Sequence, residues 1–354
     1  MDEEARSTRD FALPIETAFL HGRGFGIAQT SLLGPKTAVL LNNTAAHHNY
    51  GHFGTIAVST VIFSELQKRG ISTIAYANNL RGVAVLCDHL PALPDLVVLN
   101  GEGTLHDNHE RAIGLMLTAA HFNRLGVPCA LINSIWDRNT ALMGSYLEIF
   151  QYIAVRDSLS KLSMSKFTSR SINVVPDISL ANTVLAYPPE GVALPIGVVD
   201  SSDDKDSKTL RVFSEFLNAP FYLMDGARRG RDPFGTGEMV QVNTIADCSA
   251  WITGRYHFAL AALAANRPFL AVRTRVSKMQ GMMQDAGLSE FLLNDEWLAS
   301  ALDNKRRAVQ DKLAFWNESA FQRSEEYKSN ARDSITAAFD TVADLTTVKK
   351  AVRR

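Results

Sequence analysis

Apolar residues arrive in this chain as short unbroken runs rather than in alternation. TAVLLNN at 37–43, STIAYA at 72–77, DLVVLN at 95–100, PCALINS at 128–134 and YIAVRD at 152–157 are each mostly apolar, and all but STIAYA end on a polar residue. Strands of this kind are buried on both faces, as in a parallel sheet covered by helices. Helical patterns separate them at about 55–69, at about 108–124 and in a stretch ending near 150, and INVVPDIS at 172–179 closes the set. After the Pro- and Gly-rich AYPPEGVALP at 186–195 the alternation resumes. Strands PIGVVD, PFYLMDG, AWIT and PFLAVR are predicted, with helices at about 206–217 and 237–247, an alanine-rich helix after AWIT, and a helix from Met279. The pattern divides the chain into an extension at 1–34 with HGRGFG as a hinge, an α/β domain at 35–187, a second at 188–300, and a charged helical segment at 301–354.

Composition narrows the function classes. With 46% hydrophobic and 21% charged residues the 354-residue chain is ordinary globular material, and a formal net charge of -1 gives no electrostatic case for nucleic acid. Cys87, Cys129 and Cys248 are odd in number, far apart and set among apolar residues, as in a reduced cytoplasmic protein. The acidic N-terminus does not read as a secretory signal and no apolar run has the length of a membrane span. The basic tail VKKAVRR suits either a solvated helix end or peripheral contact with anionic headgroups at the inner face of a membrane.

Ligands of parallel sheets sit beyond the carboxyl ends of the strands, so the loops there hold the candidate chemistry. NNTAAHHNYGHFGT offers Asn43, His48, Asn49 and His52; GEGTLHDNH offers Glu102, His106 and Asp107. These polar, glycine-containing loops suit hydrogen bonding to a polyhydroxyl ligand better than a metal, since no standard ligand spacing occurs. Glu102, between two glycines, is either a general acid or base in a closed cleft or a solvated turn carboxylate.

Cations gather in the second domain: Arg229 in MDGARRGRDPFG, Arg273, Arg275 and Lys278 in AVRTRVSKMQG, and Arg255 with His257 in ITGRYHFALAALAANRPFLAV. The last stretch poses a conflict of sign. A helix starting near His257 carries partial positive charge at its N-terminus, so Arg255 beside it costs roughly 0.3–1 kcal/mol unless an anion lies between them. Either a ligand with anionic groups supplies that charge, or Arg255 pairs with a carboxylate of the chain and His257 caps the helix.

With HNYGHFGT, DLVVLNGEGTLHDN, YIAVRDSLSKL, VVPDISLA and ITGRYHFALAALAANRPFLAVRTRVSKMQGMMQDAGL in this order, the chain resembles the polysaccharide pyruvyl transferase family over roughly 38–291. The resemblance implies a GT-B-like fold of two facing, doubly wound parallel-sheet α/β domains, followed here by C-terminal helices. It implies transfer of the enolpyruvyl unit of phosphoenolpyruvate to two hydroxyls of a sugar of a cell-surface polysaccharide or its precursor, giving a pyruvate ketal and phosphate. No cofactor or metal is required. Arg255, His257, Lys278 and Arg273 or Arg275 then hold the donor, and Glu102 or His257 moves protons. Asn43, His48, Asn49, His52, His106 and Asp107 fall on the side of a free, oligosaccharide or lipid-linked acceptor. Two departures lie on that same side: His52 follows Asn49-Tyr50-Gly51 where the family usually has an acid, and Glu102 separates glycines that are usually paired.

Two other readings compete. A GT-B-type glycosyltransferase using a nucleotide-activated sugar shares the architecture, because fold does not fix function; the acid-free run Phe258–Ala265 weighs against retaining members. A non-catalytic anion- or glycan-binding protein is the third. The pattern leaves the oligomeric state open.

Overall fold

The computed structural model describes residues 19–22, 25–28, 36–46, 53–77, 90, 92–181, 194–224, 238–239, 242–316 and 318–352. The first unit runs β1 (Phe19–Gly22), β2 (Phe25–Ala28), β3 (Lys36–Leu41), α1 (Phe53–Lys68), β4 (Ile71–Ala77), β5 (Leu96–Glu102), α2 (Glu110–Arg124), β6 (Cys129–Ser134), α3 (Ala141–Ser145), β7 (Tyr152–Val155), α4 (Ser158–Met164) and β8 (Asn173–Val174). Its strand order is β1-β2-β4-β3-β5-β6-β7-β8, parallel from β4 onward. The second unit runs β9 (Ile196–Ser201), α5 (Asp204–Leu217), β10 (Phe221–Leu223), β11 (Glu238–Met239), β12 (Ala250–Gly254), α6 (Tyr256–Ala264), β13 (Phe269–Val272), α7 (Lys278–Asp285) and β14 (Leu292–Leu293). Its order is β11-β10-β9-β12-β13-β14, parallel throughout. Helices α8 (Asp295–Ala299), α9 (Leu302–Phe315) and α10 (Glu318–Val352) follow.

Two parallel-sheet units with C-terminal helices are what the unbroken apolar runs predict. In β3, Ala38 and Leu40 pack in one core with Val58, Val61 and Ile62 of α1. Val39 and Leu41 pack in another with Leu115, Met116 and Ala119 of α2. Both faces are covered, so the buried run Ala38 to Leu41 is apolar throughout. The core under α1 continues through Trp251 and Phe258 of the second unit and Phe339 of α10, binding the two units into one body.

Three elements differ from the sequence expectation. Residues of the expected extension form the antiparallel pair β1–β2, which lies against β4, also antiparallel; FLHG and FGIA carry strand-forming residues and satisfy what is otherwise an open sheet edge. In place of a helix at 237–247 stand β11 and a 3-10 turn at Val242–Asp247. The β-branched Val240, Val242, Thr244 and Ile245 disfavour a longer helix there. The C-terminal helices are not confined to the second unit. Near its start α10 holds that unit through Arg323–Glu290 at 2.7 Å and Lys328–Asn266 at 2.7 Å. Further along it holds the turn that follows α1 of the first, where Arg69 pairs with Asp340 at 2.7 Å and donates to the Thr336 carbonyl. Among the described residues no helix is long and apolar enough to cross a membrane.

The second sheet depends on a close approach. Trp251, fully buried in β12, crosses Gly197 of β9 and meets Phe258 edge to face at 4.8 Å. A Cβ at position 197 would collide with the indole and with Cys248. Gly197→Ala is therefore expected to lower stability by about 1–3 kcal/mol, read as a drop in the thermal unfolding midpoint.

Candidate functional site

The carboxyl ends of β5 and β7 meet the start of α6 and α7 from the other unit. At the end of β5 the chain turns sharply. Gly101 has no room for a side chain against Ser134, and Glu102 is held in the left-handed region at φ 41 while remaining 5% exposed. Thr44 donates to one of its carboxyl oxygens, and His257 Nε2 stands 3.7 Å from the other. His257 reaches this place because α6 packs onto the first turn of α1 at Gly54, where any Cβ would strike the imidazole.

Arg156 follows β7 and is 1% exposed. Its Nη1 donates to Asp177 Oδ2 at 2.6 Å, and its guanidinium lies 4.6 Å from the centre of the Tyr256 ring. Nε and Nη2 have no hydrogen-bond partner among the described residues. Asp177 Oδ2 is also 3.8 Å from His257 Nε2, so two buried carboxyl groups face the same imidazole nitrogen. Lys278 opens α7, half-buried, with Nζ 5.6 Å from the same Tyr256 ring and beside Gly103.

Environment separates these groups electrically. Burial pushes the Glu102 carboxyl above the usual range, against the pull of Thr44 and Arg156. Burial acts the same way on Asp177, but Arg156 and His257 outweigh it and hold that carboxyl low. Burial, then the charge of Arg156, bring Lys278 down to about 8. A carboxyl group whose burial favours its protonated form, a second carboxyl held low, an imidazole nitrogen facing both and two cations at one tyrosine ring can bind an anion and move protons next to it.

The conflict of sign at Arg255 is resolved from within the chain. Arg255 is the N-cap of α6, and both Nε, at 2.7 Å, and Nη2 grip the fully buried Asp200 at the end of β9. The helix thus meets an ion pair rather than a lone cation. The carboxylate pairing is the alternative that holds, but the cap is Arg255, and His257 lies inside α6 as its second residue.

The other expected residues divide. Arg273 turns to Asp295 at 3.7 Å and the Arg275 side chain is exposed, both on the surface. Asn43 is buried and accepts from Ser59 at 2.7 Å, which makes it part of the strand-end framework. His106 and Asp107 pair with each other at 2.9 Å, and Asp107 is gripped by Arg138. His48, Asn49, His52 and Arg229 lie outside the described residues. Sequence reasoning gave no role to Arg156, Asp177 or Thr44. The signal for the first was a charge directly ending the apolar run YIAV.

Residues 49–275 match the family model described as polysaccharide pyruvyl transferase. No curated protein matches the chain in sequence. Among solved structures the chain is similar to the glycotransferase of kitacinnamycin, at 12% identity and a TM-score of 0.53 over 89% of this chain and 99% of that one. It is similar to a UDP-glucosyltransferase from Polygonum tinctorium at 9% identity and a TM-score of 0.53, covering 89% and 99%. It is also similar to UDP-GlcNAc 2-epimerase from Neisseria meningitidis, bound to UDP-GlcNAc, at 9% identity and a TM-score of 0.52, covering 87% and 99%. At such identities the likeness is one of fold, and it is the GT-B-like fold of two parallel-sheet units.

Arg255→Ala strands a buried carboxylate, so a stability loss of about 3 kcal/mol is expected beside any loss of function. Chemical denaturation of Arg255→Ala against the double variant Arg255→Ala/Asp200→Asn checks this, with the second change restoring much of the loss.

Proposed function

This chain belongs to the polysaccharide pyruvyl transferase family, and we propose that it moves the pyruvyl unit of phosphoenolpyruvate onto two hydroxyls of one sugar, forming a cyclic ketal and releasing phosphate. The observation that carries this reading is the approach of Arg156 and Lys278 to one ring, that of Tyr256, with Glu102 and His257 close by. Phosphoenolpyruvate has two anionic groups and a methylene carbon that must gain a proton, and the cluster offers two cations and a carboxyl group whose burial favours its protonated form.

In this mechanism Lys278 holds an anionic group of the donor, and the enclosed Arg156 adds positive charge behind the contact surface. Glu102 gives its proton to the methylene, which becomes the methyl group. The first sugar hydroxyl bonds to C2 and loses its proton through His257. The C2–O bond to phosphate then breaks, and the second hydroxyl closes the ketal. Of the two hydroxyl protons, one replaces that of Glu102 and the other leaves with phosphate. Asp177 stabilises the imidazolium while it carries a proton. Arg255, oriented by Asp200, adds positive charge at the edge of the site. No cofactor enters. The acceptor is a polysaccharide sugar or its free or lipid-linked precursor, bound from the first unit. We place the reaction in the cytoplasm, where phosphoenolpyruvate is made.

The likeness in fold to a protein bound to UDP-GlcNAc favours a second reading, transfer from a nucleotide sugar. Against it, Phe258 to Ala264 of α6 carry no acid to hold a sugar or ribose.

Calorimetric titration of phosphoenolpyruvate and of UDP-GlcNAc separates the two. Phosphoenolpyruvate binding to the wild type, weakened about 100-fold or more in Lys278→Met, is expected; binding of UDP-GlcNAc alone overturns the reading. Since Lys278 carries its charge below about 8, affinity is expected to fall as pH rises through that value. Lys278→Arg, which stays charged, removes the fall. Glu102→Gln is expected to keep phosphoenolpyruvate affinity and lower the rate of acceptor-dependent phosphate release about 10²- to 10⁴-fold; turnover at the wild-type level removes Glu102 from the mechanism.

A further inference from the structure

Lys278 belongs to the second unit, yet its helix is held at both ends by the first. At the start of α7, Asp137 Oδ2 accepts from the Ser277 N–H at 3.1 Å. At its end, Asp285 Oδ2 accepts from the Ser158 N–H at 2.8 Å, at the start of α4. Each carboxylate thus meets the positive end of a helix from the opposite unit. Between them Gly281 lies against Asp157, where a Cβ would stand 2.5 Å from the carboxyl carbon, so a larger residue would force the units apart.

Asp137 is itself fixed. Arg138 Nη1 donates to Asp137 Oδ2 at 2.7 Å and to the carbonyl of Arg275 at 3.0 Å, while Nε and Nη2 bind the two oxygens of Asp107 at 2.6 and 2.8 Å. One guanidinium therefore joins the loop after β5, the loop after β6 and the loop before α7. The backbone around it is strained: Asp107, Asn108 and Arg138 have φ of 52, 47 and 48. Non-glycine residues hold such angles where surrounding contacts enforce them. Here Asn139 Oδ1 accepts from the Asn108 N–H at 3.0 Å and Asn108 Oδ1 from the Thr140 N–H at 2.9 Å.

We propose that Asp137 and Arg138 are positioning residues for the donor site: by tying the amino end of α7 to the first unit they set where Lys278 stands between Gly103 and Tyr256. This rests on the donor reading above. They act through Ser277 and Arg275 rather than on substrate. The arrangement also gives Asp107 a use other than acceptor binding, since both of its carboxyl oxygens are engaged by Arg138.

The test uses the full chain with Arg138→Ala and, as a milder change, Asp137→Asn, which keeps an oxygen for Ser277 but gives up the ion pair. Phosphoenolpyruvate affinity is measured by calorimetry, and amide hydrogen exchange of residues 277–281 is followed without ligand. With wild-type melting temperatures, Arg138→Ala is expected to weaken phosphoenolpyruvate binding roughly three- to thirtyfold and to speed exchange in that segment. Asp137→Asn is expected to do so less, and the double variant no more than Arg138→Ala, because the two act as one unit. Affinity within twofold of wild type in both variants, while Lys278→Met still loses binding, overturns the inference and leaves the donor reading standing. If the wild type binds no phosphoenolpyruvate, the donor reading falls and with it the role in donor positioning; exchange at 277–281 then reports on the tie alone.

Discussion

A guanidinium enclosed by protein is the constraint on which the rest of this structure depends. Arg156 loses nearly all its water at the end of β7, and such a charge is tolerable only where an opposite charge and hydrogen bonds replace that water. Asp177 supplies the charge from 21 residues further along, and Tyr256 supplies a ring face from the other unit. The second of these cannot form unless α6 is docked. Burial of one side chain therefore couples the folding of the first sheet to the arrival of the second.

The same charge divides the work of the two buried carboxyl groups. Asp177 is in contact with Arg156, which with His257 and the Ser179 hydrogen bonds holds its carboxyl low; Glu102 feels Arg156 without a direct hydrogen bond, and burial raises its carboxyl. Two chemically similar groups near one imidazole nitrogen thus acquire opposite characters. This pattern separates an acid from an electrostatic partner in many enzymes.

Much of the architecture was legible because buried parallel strands leave so plain a mark. A residue such as Val39 and its neighbour Leu40 must both be apolar, since opposite cores receive them. The β1–β2 pair was not legible: its pairing with β4 is a long-range matter that four-residue segments do not announce. At the site, the misfit of charge at Arg255 was visible, but its answer, Asp200, sits 55 residues earlier on an adjacent strand. Glu102 and His257 were legible as chemistry-bearing residues in strand-end loops. Arg156 and Asp177 stood in the quoted motifs without a role, because their significance appears only when Tyr256 is folded over them. Surface arginines such as Arg273 and Arg275 look the same in a sequence as buried ones, since composition carries no information about direction.

The last helix changes what holds the units together. The chain passes from the first unit to the second after Ala181, and α10 brings it back, anchored to the second unit at Arg323 and Lys328 and to the first at Arg69. Phe339 of the same helix lies in the core that runs under α1 and on to Trp251 and Phe258. A strut pinned toward both units and sunk into their common core acts as a splint: neither unit can turn against the other without first lifting the helix out of that core.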